Sequence, residues 1–131
     1  MKTSLKRIAV LIASLIVLSA IYVLLSVVPI PTNPLPTSVK MVALPSPPHY
    51  KEVTSNEDIH AIFNMIKDSD LKPVMHFEKG WQVRLVYKGG DITVINNYVN
   101  INGRWFKAKD NISDKLRIYY EDLKIEEKPW Q

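Results

Sequence analysis

The chain opens on an unbroken apolar run. Residues 8–28 (IAVLIASLIVLSAIYVLLSVV) hold 21 positions without a charge. A helix of about 20 apolar residues spans the hydrocarbon core of a bilayer, so this run predicts a transmembrane helix. A cleavable signal peptide has a shorter apolar region of about 7–15 residues and a small-x-small cleavage site. The one candidate is Leu18-Ser19-Ala20, where Leu fits poorly and the run continues apolar through Leu25. An uncleaved signal-anchor is therefore preferred, with a cleaved signal as the alternative. Lys2, Lys6 and Arg7 precede the run, and the first charge after it is Lys40. The positive-inside rule then places residues 1–7 in the cytoplasm and the rest of the chain outside the cell membrane. A reporter fused at Gln131 should be active only outside the cytoplasm.

At Pro29 the pattern changes. Seven of the nine prolines fall between Pro29 and Pro48. Proline lacks the N–H donor and restricts the residue before it, so a helix cannot continue. Residues 29–36 read as an extended spacer, holding the downstream domain about 25 Å from the bilayer at about 3.1 Å per residue. A PxxP ligand for an SH3-type domain is the rejected alternative, because such readers work mostly in the cytoplasm.

Residues 37–124 then alternate in ways that predict an α+β domain. Residues 38–44 (SVKMVAL) favour a strand, ended by the Pro45, Pro47 and Pro48 cluster. Thr54-Ser55-Asn56-Glu57 has the form of a capping box with Thr54 as the cap. Ile59, Ile62, Phe63 and Ile66 follow at helical spacing, and this helix should end near Asp68 to Asp70. Trp81, Val83, Leu85 and Tyr87 alternate with Gln82, Arg84, Val86 and Lys88, the period of a half-buried strand. Gly89-Gly90 reads as a hairpin turn into a strand from Asp91 to Ile95. Asn96-Asn97 can break that strand. Asn102-Gly103, between residues 98–101 and 104–108, is the strongest short hairpin signal. Ser113 reads as the cap of a last helix carrying Leu116, Tyr119, Tyr120 and Leu123. Residues 125–131 form a charged tail expected to fray. Two helices on an antiparallel sheet of three or four further strands would bury Ile59, Ile62, Phe63, Ile66, Val83, Leu85, Ile92, Val94, Phe106, Leu116 and Tyr120.

Charge changes little in this picture. The net charge of +4 belongs mainly to the leader, because 14 of the 17 basic residues and all 13 acidic ones lie from Lys40 onward. Nothing requires a basic face, so no nucleic-acid partner is expected. The absence of cysteine excludes disulfides, thiolate metal sites, Cys nucleophiles and a lipoprotein anchor.

Candidate chemistry is sparse. Glu57 and His60 stand three apart on a helix, but no second ligand pair completes a metal site. His76 reads as a loop residue. No serine sits in a nucleophile elbow, and Glu57-Asp58, Glu121-Asp122 and Glu126-Glu127 are neighbours that do not face each other on a helix. Gly89-Gly90 lacks the continuation of a phosphate loop. Asn111-Ile112-Ser113 matches a glycosylation sequon, a short pattern. The expectation is no enzyme, no cofactor and no identifiable small-molecule ligand. Trp81, Tyr87, Tyr98, Trp105 and Phe106 all lie on the hairpins. Such aromatics serve cross-strand core packing most often, and binding surfaces otherwise. Both readings stay open, and Trp81, Trp105 and Tyr98 are the candidate binding residues.

The apolar leader, the stretch VKMVALPSPPHYKEVTSNEDIHAIFNMIKDS, the stretch GWQVRLVYKGGDITVINNYVNINGRWFKAKDN and a closing helix together resemble small domains of unknown function in exported or membrane-anchored proteins of Gram-positive, Bacillus-type bacteria. The likeness covers residues 37–124 in layout and pattern. It implies an extracytoplasmic compartment and an α+β fold, with no catalytic residue to carry over. Those proteins are often lipid-anchored through a Cys that this chain lacks. The expected function is a membrane-anchored extracytoplasmic binding or interaction module with a protein partner in the envelope or membrane. The alternative is a small membrane regulator acting through its helix on a sensor or transporter; a secreted enzyme ranks last.

Overall fold

The computed structural model describes residues 2–32, 34–44 and 48–130. Helix α1 (Lys2–Ser26) is followed by strands β1 (Val39–Ala43) and β2 (His49–Val53) and helix α2 (Asn56–Lys67). Then come β3 (Lys72–Pro73), β4 (Val83–Tyr87), β5 (Gly90–Ile95), β6 (Tyr98–Ile101), β7 (Arg104–Lys107), helix α3 (Ile112–Asp122) and β8 (Lys128–Pro129). Within α1, Thr3–Leu25 is long and apolar enough to cross a membrane, and none of it is buried in the fold.

The strands form one antiparallel sheet in the order β3-β7-β6-β5-β4-β1-β2-β8. This is the expected α+β class, with a sheet wider than the pattern announced. The turns fix its register. Asn102 (φ 51°) and Gly103 (φ 91°) both take positive φ, as a type I′ hairpin turn requires. The β4–β5 turn differs from expectation by one residue. Lys88 and Gly89 make it, and Gly90 pairs opposite Tyr87. Gly90 is needed for another reason: a Cβ there would lie 2.6 Å from the Tyr87 hydroxyl oxygen, so the phenol ring lies across the glycine.

Side chains alternate across the strands, so the sheet has two faces. The inner face carries Val39 and Met41 of β1, Val83 and Leu85 of β4, Ile92 and Val94 of β5 and Phe106 of β7, all fully buried. α2 and α3 cover it with Ile59, Ile62, Phe63, Ile66, Ile112, Leu116 and Tyr120. Phe63 meets Tyr87 edge to face at 5.3 Å. All eleven residues expected in the core are buried.

Both helix caps differ from expectation. Ser55, not Thr54, caps α2 and accepts from the Asp58 N–H. Asn111, not Ser113, caps α3 and accepts from the Asp114 N–H at 3.1 Å. An Asn side chain serves at this position as well as Ser. Ser113 lies inside the first turn, fully buried, and among the described residues its hydroxyl has no partner. A buried hydroxyl without a partner costs about 1–3 kcal/mol. Ser113→Ala should therefore raise stability, by about 1 kcal/mol, and the denaturation midpoint should rise without a change in slope.

Three strands escaped the sequence reading. β2 (HYKEV) is polar and charged, yet Lys51 turns inward and is only 6 % exposed. Its ammonium donates to the carbonyls of Tyr120 (2.6 Å) and Leu123 (2.7 Å) and stands 4.6 Å over the Tyr120 ring. α3 has no basic residue in its last turn, so Lys51 of β2 supplies the cation that its carbonyl end favours. Burial and the Asp58 carboxylate push Tyr119 up to about 12, so its hydroxyl stays a donor to Asp58 (2.7 Å) at neutral pH. The tail does not fray past Leu123: β8 pairs with β2, and Trp130 packs edge to face on Tyr50 at 5.8 Å.

Each edge of the sheet is a two-residue strand with the same sequence, Lys-Pro. Proline has no N–H to offer, and lysine charge discourages pairing with a foreign strand. Neither short edge strand is a good template for strand addition.

Nor is the proline segment a free spacer. Ile30 belongs to the core cluster at 9 % exposure, and Val28 and Leu35 pack against that cluster. The prolines stop the helix as expected, but apolar residues between them dock beside α2, in a shallow cleft with His60 and Phe63. Pro45 and Pro47, expected to end β1, lie outside the described residues.

Candidate functional site

Among the described residues no helix lies across the middle of the outer sheet face; α1 approaches only its β3–β7 end, where Tyr22 and Leu25 share a cleft with Trp105. Across it, register aligns one row of side chains: Tyr50, Val42, Arg84, Thr93, Asn100 and Trp105. The row crosses six strands, about 24 Å at about 4.8 Å per strand. All but Val42 are partly exposed, and Val42 is buried between its neighbours Tyr50 and Arg84.

Aromatic groups gather at the two ends of this row. At the β2 end, the Arg84 guanidinium lies 6.0 Å from the Trp81 ring and 5.8 Å from that of Trp130. Two hydrogen bonds to the Asp91 carboxylate, at 2.6 and 3.2 Å, hold it there. Lys40 stands 5.5 Å over Tyr50. At the β7 end, His76 stacks on Tyr98 at 3.8 Å with an interplanar angle of 2°, and meets Trp105 edge-on at 4.9 Å. Glu78 pairs with His76 at 2.9 Å. The polar middle of the row, Thr93 and Asn100, separates the clusters.

Of the three candidate binding residues, Tyr98 and Trp105 come together on adjacent strands, with His76 between them. Trp81 stands apart with Arg84. None of the three belongs to the buried core; each is half-buried. His76 and Trp130 had no signal of their own. His76 sits in a loop whose path the sequence does not fix, and Trp130 follows a strand of two residues.

The arrangement offers flat apolar rings, a compensated guanidinium and hydrogen-bonding groups. It brings together no nucleophile with a base and an orienting group. Among the described residues, no group of three His, Asp or Glu could hold a metal ion. Glu57 and His60 are both exposed on α2. No family model, curated protein or solved structure matches the chain.

Proposed function

We propose that this chain is a single-pass membrane protein with a cytoplasmic N-terminus. Its outer domain binds an extended polypeptide segment of an envelope or membrane protein across the open sheet face. The observation that carries the reading is the row from Tyr50 to Trp105, with half-exposed tryptophans at both ends. Trp and Tyr are enriched among residues that dominate binding energy. The row, about 24 Å long, matches about seven residues of extended chain. The short Lys-Pro edge strands favour the face over strand addition. Orientation rests on the three basic residues before the apolar run (Lys2, Lys6 and Arg7) and the uncharged stretch after it.

Trp105→Ala and Trp81→Ala should each weaken partner capture about tenfold, as expected of removing an aromatic ring that contributes binding energy. Their melting temperatures should fall by less than about 5 °C, as expected of half-exposed positions. Crosslinked capture from native membranes, set against thermal melts of the same variants, reads both quantities. If each variant loses its cooperative melt, these rings are structural and the surface reading falls. Replacing residues 8–24 with an unrelated spanning sequence should leave capture intact; loss of capture would favour a regulator acting through its helix.

A further inference from the structure

The outer end of α1 is fastened to the domain. The Arg104 guanidinium donates to the carbonyls of Leu25 and Val27, at the end of the apolar span. These carbonyls have no partner within the helix. Beside them, Tyr22 and Leu25 of α1 line an open cleft of about 540 Å³ with Val74, Met75 and His76. Tyr22 also lines a second cleft with Lys72, Lys107 and Lys109, where Asp70 is the one carboxylate.

This placement sets a depth. The helical part of the apolar run, residues 8–26, extends about 28 Å at about 1.5 Å per residue, close to the thickness of the hydrocarbon core. Tyr22 then lies about 6 Å inside the outer end of that helix. The 74–79 loop, which reaches this level, carries the two most exposed large apolar side chains in the described domain, Met75 at 103 % and Phe77 at 86 %. In water this would be an unfavourable display. Against a bilayer through which α1 passes, both side chains meet the acyl-chain boundary, and the three lysines, which share the level of Tyr22, extend their long side chains upward to the phosphates.

We infer that the 74–79 loop and the lysines at positions 72, 107 and 109 form a lipid-contact surface. Met75 and Phe77 enter the outer leaflet, and the lysines engage anionic headgroups. The inference rests on α1 spanning the membrane. Its occupant is the bilayer because the surface continues directly from the span. The domain is thus held on the membrane in one orientation rather than swinging on a tether.

The test uses the full chain in vesicles of phosphatidylcholine, with and without phosphatidylglycerol. The chain has no cysteine, so one introduced thiol is labelled uniquely. A polarity-sensitive fluorophore is placed at Met75→Cys and, as control, at Glu57→Cys on exposed α2. Alkaline carbonate extraction of the same vesicles reports whether α1 spans. The chain should resist extraction. Nitroxides on the upper acyl chain should quench the Met75 probe about threefold more than the Glu57 probe, as expected of an interfacial side chain. Phosphatidylglycerol should increase that quenching, and Lys107→Gln with Lys109→Gln should remove the increase. Equal quenching of both probes in a carbonate-resistant chain overturns the lipid-contact surface and leaves the anchor standing. Release by carbonate overturns both.

Discussion

Lys51→Ala should destabilise the domain by about 3 kcal/mol, although Lys51 lies in a strand that reads as solvated surface. Two carbonyls at the end of α3 lose their donor together, and the aliphatic stem leaves a gap against Tyr120. A hydrogen bond from a charged group contributes about 1.5–3 kcal/mol, and a buried acceptor left alone costs about 1–3 kcal/mol. For a domain of this size the melting temperature should fall by about 15 °C. Lys51→Met keeps the stem and removes only the donor, so its deficit should be smaller, about 2 kcal/mol. Denaturant unfolding of the domain separates the two variants. Equal stability of wild type and Lys51→Ala would mean that the ammonium does not cap α3.

A second large effect concerns where the domain begins. The proline pattern sets its start at residue 37, and a fragment 37–131 would be expected to fold as a complete unit. The structure puts Ile30 into the core, with Val28 and Leu35 against it. Fully burying an aliphatic side chain contributes about 1.5–3 kcal/mol, so losing Ile30 and part of Leu35 should cost about 3 kcal/mol. A fragment 27–131 should melt about 15 °C above a fragment 37–131. Matching melts would show that residues 29–36 are the free spacer their composition suggests.

The contrast between these residues explains what the sequence could reveal. Strong local signals were legible. The helical spacing of Ile59, Ile62, Phe63 and Ile66, the alternation of Val83, Leu85 and Tyr87, and the Asn102-Gly103 turn are each written within a few positions. They identify the helices, the hairpins and the whole expected core. What escaped depends on distant partners. Lys51 makes sense only once α3 ends above it. Lys72-Pro73 and Lys128-Pro129 are strands only because β7 and β2 present edges to them. Ile30 looks like one apolar residue among prolines until α2 lies beside it. The candidate site follows the same division. Trp81, Tyr98 and Trp105 were visible as surplus aromatics, whereas their separation into two clusters, and the roles of His76, Arg84 and Trp130, come from cross-strand register.

The central claim is that the open sheet face, rather than the helices or the anchor, meets a polypeptide partner. Site-specific photocrosslinking of the full chain in native membranes tests it directly. A photoreactive residue at Thr93 occupies the middle of the row, one at Asn56 occupies the exposed start of α2, and one at Val17 occupies the anchor. A discrete adduct with one protein is expected from Thr93, lost on Trp105→Ala, and none from Asn56 or Val17. An adduct from Val17 or Asn56 with none from Thr93 would contradict it.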